Sequence, residues 1–207
     1  ASCLVGSEMC IRDSIIALRN FICLAGLILI APFLIICCCF IFIEDGSPLL
    51  FKQERLGLNQ KIFTIFKLRT LKRDAPQVGT HELDVSLKLK IGVLIRLIKL
   101  DEFPQLLNVL KGELNLVGPR PGLRSQFELQ NNRISQGVFQ TKPGITGLSQ
   151  ILGYDMSAPD ELAKVDKIYI QNKTFSLDLM ILAATFLSPP RNYLSSKFNI
   201  PIRKKTL

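Results

Sequence analysis

The stretch LIRLIKLDEFPQLLNVLKGELNLVGPRPG at residues 94–122 contains the order of elements on which the predicted fold depends. Apolar residues recur at helical spacing over residues 86–100, and a second apolar helix is predicted over residues 105–110, ending at Lys111-Gly112. Asp101-Glu102-Phe103-Pro104 lies between them, and its proline interrupts helical hydrogen bonding. The sequence therefore predicts a break between two helices, at which two adjacent carboxylates face a cleft.

Adjacent carboxylates can divide two tasks in phosphoryl chemistry. One can attack phosphorus, as aspartate does in aspartyl-phosphate enzymes, while the other helps to hold Mg²⁺. Mg²⁺ prefers one or two carboxylates together with substrate phosphate oxygens. Taken alone, an Asp-Glu pair before proline is more often a helix cap or a solvated pair. Asp101 and Glu102 are nevertheless our catalytic candidates, with Glu102 as the metal ligand.

Cations at several separate positions strengthen this interpretation. They are Lys67 and Arg69 in FKLRT, Arg96, and Arg120 and Arg124 in GPRPGLR. Phosphoryl transfer needs cations that clamp a polyanion, and arginine makes bidentate contacts with phosphate. Pro119 and Pro121 fix the backbone on either side of Arg120, although a rigid surface turn is the plainer explanation of that segment.

The loop PGITG at residues 143–147 is a second candidate for binding substrate. Its backbone N–H groups could hold a phosphate or a base, although a glycine loop alone is weak evidence. Thr146, Gly147 and Gln150 are our candidates in this part of the chain. The single histidine, His81, is more often structural than catalytic when it stands alone.

The N-terminal region predicts a membrane segment. Residues 21–43 carry no charge, and a helix of that length reaches about 34 Å, enough to span a bilayer. Because Pro32 lies in its middle, two geometries stay open: a spanning helix with a tolerated proline, or a helix broken at Ala31-Pro32 that re-enters on the same face. Positive residues flank both sides, which suits two cytoplasmic ends; they are Arg12, Arg19, Lys52 and Arg55.

Composition narrows the function classes. The 207 residues include 26 Lys+Arg and 17 Asp+Glu, so the net charge of +9 favours anionic partners. All six cysteines precede residue 40 and none forms a CxxC pair, which argues against a zinc site or a disulfide framework. Residues 5–14, VGSEMCIRDS, resemble translated sequencing-adaptor read-through, so we set residues 1–14 apart from the domains.

The rest of the chain predicts a small strand element within residues 51–69 and a helix over residues 160–172. Residues 175–187 are apolar but too short to span, so they predict a core helix or one in the membrane interface. Residues 189–207 form a basic tail that either touches anionic lipid or is solvated.

Taken together, these segments resemble the monotopic phosphoglycosyl transferases, the bacterial sugar transferase family that begins polysaccharide and glycoprotein glycan assembly. The resemblance covers residues 21–187. The matching stretches are SPLLFKQERLGLNQKIFTIFKLRT at 47–70, the stretch at 94–122, TKPGITGLSQILG at 141–153 and KVDKIYIQNKTFSLDLMILAAT at 164–185. Several motifs of this length in the same order make chance similarity an inadequate explanation.

The resemblance implies roles for individual residues. Asp101 matches the covalent nucleophile, Glu102 helps to bind Mg²⁺, and the turn Pro119-Arg120-Pro121 is associated with the nucleotide. The residues that match phosphate contacts are Lys67, Arg96 and Arg120. The implied partners are a UDP-sugar donor, polyprenyl (undecaprenyl) phosphate as acceptor and membrane lipid, with no nucleic acid. The implied location is the cytoplasmic face of the bacterial inner membrane.

Two departures from the family pattern stand out. The family breaks its membrane helix at Ser-Pro, whereas Ala31 precedes Pro32 here, so a hydroxyl that could satisfy freed backbone groups is missing. Many relatives continue GITGxxQ with Asn-Gly-Arg, whereas this chain has Leu152-Gly153-Tyr154 and so lacks one cation near the nucleotide.

The expected fold is α+β and mostly helical, with a re-entrant membrane helix broken at Pro32, surface amphipathic helices and a small strand element. Residues 15–45 form the membrane helix, residues 46–188 the catalytic domain and residues 189–207 the tail. Two other functions stay open: a non-enzymatic basic membrane-anchored binding module, and a phosphohydrolase in which water replaces the lipid acceptor.

Overall fold

The computed structural model describes residues 2–75 and 87–203, with side chains described at residue 14 and from residue 16 onward. His81 and the first residue of the helix predicted over 86–100 lie outside the described residues. The described chain is mostly helical and contains two small two-stranded sheets, which confirms the predicted α+β class with a minor strand element.

The first helix, α1, runs from Ser2 to Asp45 and contains the predicted membrane segment. Within the described residues, 16–45 form a helix long and apolar enough to cross a membrane. The predicted break at Ala31-Pro32 is not confirmed, because α1 continues through Pro32 without interruption. Proline removes one backbone donor there, but the flanking turns retain enough hydrogen bonds to keep the segment helical.

One face of α1 packs against the rest of the chain along most of its apolar length. The residues of this packing face recur every three or four positions: Cys23, Gly26, Ile30, Leu34, Cys37 and Ile41. That spacing is the period of an α-helix, so these side chains share one stripe. The opposite face exposes large apolar side chains, among them Phe21, Leu29, Ile35 and Ile43.

A β-hairpin follows α1. Strands β1 (Leu50–Leu56) and β2 (Ile62–Leu68) pair antiparallel, with Arg55 opposite Phe63 and Phe51 opposite Lys67. The short 3₁₀ segment Leu58–Gln60 makes the turn. Because side chains alternate along a strand, Lys67 and Leu68 point to opposite faces of the hairpin.

The helix break predicted at Asp101 is present, but it begins earlier than expected. Helix α2 spans Lys90–Leu97 and ends before residue 100, because Lys99 adopts a left-handed conformation with φ 58°. A 3₁₀ segment, Leu100–Gln105, then carries both acidic residues and leads into α3 (Leu106–Leu110). Gly112, with φ 76°, ends this region as predicted.

A second, parallel sheet joins the two glycine- and proline-rich segments. Strand β3 (Asn115–Val117) pairs with β4 (Gly144–Thr146). Helix α4 (Phe127–Ser135) lies between them in the chain, and the short α5 (Leu148–Ile151) follows β4. The pairing brings the start of the Pro-Arg-Pro turn beside the PGITG loop.

Three helices complete the chain: α6 (Pro159–Gln171), α7 (Phe175–Ala184) and α8 (Ser188–Phe198). The segment predicted as a basic tail over residues 189–207 is therefore helical up to residue 198. Leu194 of α8 and Ile200 after it are buried in the largest hydrophobic cluster. Packing of these two side chains stabilises the helix in this segment, whereas its charge had suggested a tail that either touches anionic lipid or is solvated.

Asn108 fixes α3 against β2. Its side chain is fully buried, and its amide donates to the Thr64 carbonyl at 2.7 Å and to the Glu113 carboxylate at 2.6 Å. Its Oδ1 accepts from the Phe66 N–H at 3.3 Å. These bonds hold the strand that carries Lys67 beside the segment that carries Glu102.

Replacing Asn108 by alanine is expected to lower the free energy of unfolding by about 1–3 kcal/mol, because buried backbone groups of β2 lose their partner. Thermal unfolding in detergent, followed by circular dichroism, measures the change. Asn131→Ala, at an exposed position of α4, is the matched control. Equal stability of the two variants would contradict this role for Asn108.

Candidate active site

The centre of the site is the Glu102 carboxylate, which two cations share. Glu102 Oε1 accepts a hydrogen bond from Lys67 Nζ at 3.1 Å and lies 3.5 Å from Arg120 Nη1. The Lys67 and Glu102 side chains are 16% and 24% exposed, so the pair is shielded from water yet reachable. Three segments far apart in sequence, β2, the 3₁₀ segment and the Pro-Arg-Pro turn, meet at this oxygen.

The two adjacent acids have opposite electrostatic environments. Burial raises the pKa of Glu102, but the Lys67 and Arg120 cations outweigh it and bring that pKa to about 2. Burial together with the Glu102 charge raises the pKa of Asp101, and nearby cations only partly offset this. Adjacent carboxylates with pKa values displaced in opposite directions are typical of sites where the two groups have different tasks.

Asp101 is left uncommitted by this arrangement. No hydrogen bond or ion pair to its carboxylate is present among the described residues, whereas Glu102 is held by two cations. Within the described residues, the Asp101 carboxylate therefore has no fixed partner, whereas two cations hold Glu102 in one orientation.

Arg96 lies at the same site, on α2. Its Nε donates to Thr70 Oγ1 at 2.7 Å, which orients the guanidinium. Burial lowers the pKa of Arg96, and the Asp101 charge raises it again, so the two groups are close enough to interact. The predicted grouping of Lys67, Arg96 and Arg120 around the two acids is present.

Arg69, a predicted substrate contact, is placed differently. Its guanidinium pairs with the Asp45 carboxylate and donates to the carbonyls of Gly46 and Pro48, both at 2.6 Å. Its side chain is only 6% exposed, so little of it remains for a ligand. Arg69 fastens the C-terminal end of α1 to β2, and the structure does not support a role in substrate binding.

Two buried arginines brace the Pro-Arg-Pro turn from behind. Arg133 Nη1 donates to the Arg120 carbonyl at 2.7 Å, and Arg55 Nη1 donates to the Pro121 carbonyl at 3.1 Å. Arg133 is paired with the buried Asp166 at 2.6 Å. Consecutive carbonyls of the turn are thus fixed, which aims the Arg120 side chain at Glu102.

The PGITG loop packs directly on the start of this turn. A Cβ atom on Gly144 would lie 2.1 Å from the Gly118 backbone nitrogen, and one on Gly147 would lie 2.2 Å from the Gly118 carbonyl oxygen. Glycine is therefore required for this close approach. Thr146 is buried, and its Oγ1 lies 2.9 Å from Thr185 Oγ1, which ties the loop to the end of α7.

Gln150 donates to the Ile145 carbonyl at 3.2 Å, and its Oε1 is buried without a hydrogen-bond partner among the described residues. The predicted contacts of Thr146, Gly147 and Gln150 with substrate stay predictions.

A small, partly open pocket lies beside the Glu102 cluster. Its wall is formed by Arg55, Ile65, Lys67, Gln105, Arg120, Pro121, Gly144 and Ile145. Three of these are cations, so the pocket suits a ligand with more than one negative charge.

The donor set around Glu102 fits Mg²⁺ better than zinc. Among the described residues no group of three or more His, Cys, Asp or Glu side chains could hold a metal by itself. Mg²⁺ commonly takes one or two carboxylates and completes its shell with substrate phosphate and water. Glu102 with the neighbouring Asp101 matches that requirement.

Sequence reasoning missed Arg55 and Arg133 as parts of the site. Arg55 had been interpreted only as a flanking charge of the membrane segment, and Arg133 lies in a polar helix. Their partners are distant in the chain, Pro121 for Arg55 and Asp166 for Arg133. The motif KQERLG could have drawn attention to Arg55, because it is part of a matching stretch.

A cluster of cations around two carboxylates, beside a long apolar helix, suits an enzyme that handles anionic groups, and comparisons with known proteins agree with this interpretation. Residues 15–190 match the family described as "Bacterial sugar transferase". The chain therefore belongs to the bacterial sugar transferase family, so the predicted family and the prediction of an enzyme are confirmed, and the binding-module alternative is set aside.

Three relatives illustrate the similarity. "Uncharacterized sugar transferase EpsL" of Bacillus subtilis (strain 168) is 40% identical over 166 residues, which is 76% of this chain and 82% of that protein. "UDP-glucose:undecaprenyl-phosphate glucose-1-phosphate transferase" of Caulobacter vibrioides is 35% identical, over 76% of this chain and 62% of that protein. "Undecaprenyl-phosphate galactose phosphotransferase" of Salmonella typhimurium is 32% identical, over 84% of this chain and 40% of that protein. The chain thus spans less than two thirds of the latter two.

Gly144→Ala is expected to lower the free energy of unfolding by about 1–3 kcal/mol and to reduce turnover, because the added methyl group forces the loop away from the Pro-Arg-Pro turn. Circular dichroism in detergent and a nucleotide-release assay measure the two effects. Gly26→Ala is the control, since its Cβ would meet only Leu106 at 3.8 Å. An active and fully stable Gly144→Ala enzyme would show that the close approach is dispensable.

Proposed function

We propose that this protein transfers a sugar-1-phosphate from a UDP-sugar to polyprenyl phosphate, with undecaprenyl phosphate as the natural acceptor. The observation that carries the proposal is the Asp101 carboxylate, which has no partner among the described residues and lies beside Glu102, which Lys67 and Arg120 hold. Two of the relatives described above are named for transfer of this kind to undecaprenyl phosphate. The product would be a polyprenyl-diphosphate sugar that begins polysaccharide, O-antigen or glycoprotein glycan synthesis.

In the first step, a carboxylate oxygen of Asp101 attacks the β-phosphorus of the donor. The bond between that phosphorus and the oxygen bridging to the α-phosphate breaks, and UMP leaves with the bridging oxygen. Lys67, Arg96 and Arg120 neutralise the charge that develops on the phosphate oxygens. The sugar-phosphate stays on Asp101 as an acyl phosphate ester.

In the second step, an oxygen of the polyprenyl phosphate attacks the same phosphorus. The Asp101–phosphorus bond breaks, and the carboxylate is regenerated. Splitting the transfer in two allows one set of cations to serve both displacements, since the phosphorus atom stays in place. A phosphohydrolase would use the first step and then admit water as acceptor.

Mg²⁺ would be held by Glu102, with diphosphate oxygens and water completing its shell. When bound, the ion adds positive charge next to the reacting phosphate and lowers the repulsion that an anionic nucleophile meets. Lys67 and Arg120 fix the Glu102 carboxylate in position for this task.

The surface next to the site fits a membrane interface. Beyond the outer face of α1, large apolar side chains are exposed on α2 and α7: Val93, Leu94, Leu97, Phe175 and Leu179. Amphipathic helices of this kind bury such side chains among lipid head groups and acyl chains. A polyprenyl phosphate presents its phosphate at that level, so a membrane-seated site can reach it.

The packing of α1 favours a re-entrant arrangement. Cys23 packs with α3 and β2, whereas Ile41 packs with α2 and the 3₁₀ segment, and the two lie about 27 Å apart along a straight helix. If α1 crossed a hydrocarbon core about 30 Å thick, the polar domain would be drawn into it. We therefore place both ends of α1 at the cytoplasmic face of the inner membrane, with a bend at Pro32.

Asp101→Asn is expected to fold normally and bind donor, yet lower kcat on the order of 10³-fold or more, since an amide cannot replace the attacking carboxylate. UMP release from a UDP-sugar in the presence of Mg²⁺ and polyprenyl phosphate measures this. Incubating wild-type enzyme with donor labelled in the β-phosphate should place the label on the peptide containing residue 101.

Asp160→Asn is the matched control, because Asp160 is exposed and pairs only with Lys164 at the surface. Retained turnover in Asp101→Asn would remove Asp101 as nucleophile. UMP release by the wild type without any acceptor dependence would favour hydrolysis instead.

Pro32→Leu is expected to convert a re-entrant α1 into a spanning helix, because leucine restores the missing hydrogen bond and straightens the segment. Cysteines introduced at Ser14 and Ser47, in a background without native cysteines, can be probed with an impermeant maleimide. In the parent, both should label only after lysis. In Pro32→Leu, position 14 should label in intact spheroplasts. Opposite sides in the parent would end the re-entrant proposal.

A further inference from the structure

Arg55 is a buried cation with no anion to balance it. The residue is 8% exposed, and no carboxylate lies within ion-pair distance of its guanidinium among the described residues. Its hydrogen bonds go to neutral groups, the Pro121 carbonyl at 3.1 Å and the Gln53 amide oxygen at 2.6 Å. Among the residues that the structure describes, its Nε is buried without a hydrogen-bond partner. A buried charge in this state is costly unless something else pairs with it.

The pocket beside Glu102 is where that partner can bind. Arg55 and Lys67 lie on the same face of the hairpin, because Arg55 is opposite Phe63 and residues 63, 65 and 67 alternate with the other face. Both side chains line the pocket, and their positions are about 13 Å apart along β2. Arg55 therefore stands at the end of the pocket away from the reacting acids.

Arg120 lies between these two cations, because its Nη1 is 3.5 Å from the Glu102 oxygen that Lys67 binds, while the carbonyl of the next residue, Pro121, accepts from Arg55. Its charge acts on Lys67 and on Arg55, and it lowers the pKa of each in addition to the effect of burial. Burial and the charges of Arg120 and Arg133 together bring the pKa of Arg55 to about 9. The order along the pocket is Lys67, Arg120, Arg55, a row of three cations that begins at Glu102.

We propose that Arg55 binds the α-phosphate of the donor nucleotide and thereby holds the UMP that leaves. The inference rests on the proposed function, which puts the β-phosphate at Asp101 and Lys67. The next phosphate along the row then falls between Arg120 and Arg55. Arg55 is thus a substrate-binding residue on the leaving-group side, and it supplies the positive charge that UMP needs as it separates from the β-phosphate.

A purely structural role explains Arg55 less well. A brace for the Pro121 carbonyl needs one neutral donor, and it does not require a charge in a place surrounded by other cations. Arg133, which also braces the turn, carries its own counter-ion in Asp166. Arg55 has the same position behind the turn without such a partner, and it differs from Arg133 by lining the pocket.

The test is nucleotide binding to detergent-solubilised full chain, measured by competition of UMP and of uridine against a labelled UDP. Arg55→Gln is expected to weaken UMP binding by about tenfold or more, while uridine, which has no phosphate, loses little. Arg55→Lys keeps the positive charge but lacks the planar guanidinium that donates two parallel hydrogen bonds, so the loss of UMP affinity should be intermediate. Arg124→Gln is the matched control: although the sequence placed Arg124 with the candidate clamping cations, its side chain is 60% exposed, pairs with Glu54 on β1 and does not line the pocket.

Equal UMP affinity of Arg55→Gln and Arg124→Gln would overturn the inference. So would an equal loss for uridine and UMP, because that pattern indicates a displaced Pro-Arg-Pro turn. If circular dichroism shows that Arg55→Gln does not fold, Arg55→Lys decides the same question. The ratio of UMP affinity to uridine affinity is then compared between Arg55→Lys and the wild type. The proposed function fails separately if the wild-type protein binds UMP yet transfers no phosphosugar to polyprenyl phosphate.

Discussion

The shared carboxylate of Glu102 is the interaction on which the site depends. Lys67 and Arg120 reach the same oxygen from two segments that are more than 50 residues apart. Each of these segments is positioned by buried polar groups of its own, Asn108 behind β2 and Arg133 behind the Pro-Arg-Pro turn. Because buried polar groups are costly when unpaired, these contacts permit little alternative geometry. The charged cluster is therefore rigid before any substrate arrives.

This rigidity has an electrostatic consequence. Lys67, Arg96, Arg120 and Arg55 outnumber Asp101 and Glu102, so this cluster carries excess positive charge. Mutual repulsion and burial both disfavour that excess, which is visible in the lowered pKa values of three of these cations. Under the proposed function, the diphosphate of the donor would offset the excess charge and thereby stabilise the folded domain.

The sequence predicted the break at Asp101, the hairpin and most of the charged cluster, because each has a local signature in turn residues, periodicity or a motif of the matching stretches. Arg69, two residues from Lys67, was predicted to contact substrate, but its guanidinium pairs with the Asp45 carboxylate at the end of α1. Position along a strand could not show that, since both residues share one face and only the tertiary partner differs. Arg55 and α8 were missed for the same reason: their structure depends on groups distant in the chain.

One hydrophobic cluster joins α1 to the segments that carry Lys67 and Asp101. Leu68 follows Lys67 and Leu100 precedes Asp101, and both leucines lie in one hydrophobic cluster with Ile41 of α1. The strand alternation that points Lys67 into the pocket points Leu68 the other way, into this cluster. Helix α1 therefore packs behind the segments that carry Lys67 and Asp101. Under the proposed function, one helix would lie among lipids and at the same time support the residues that carry the chemistry.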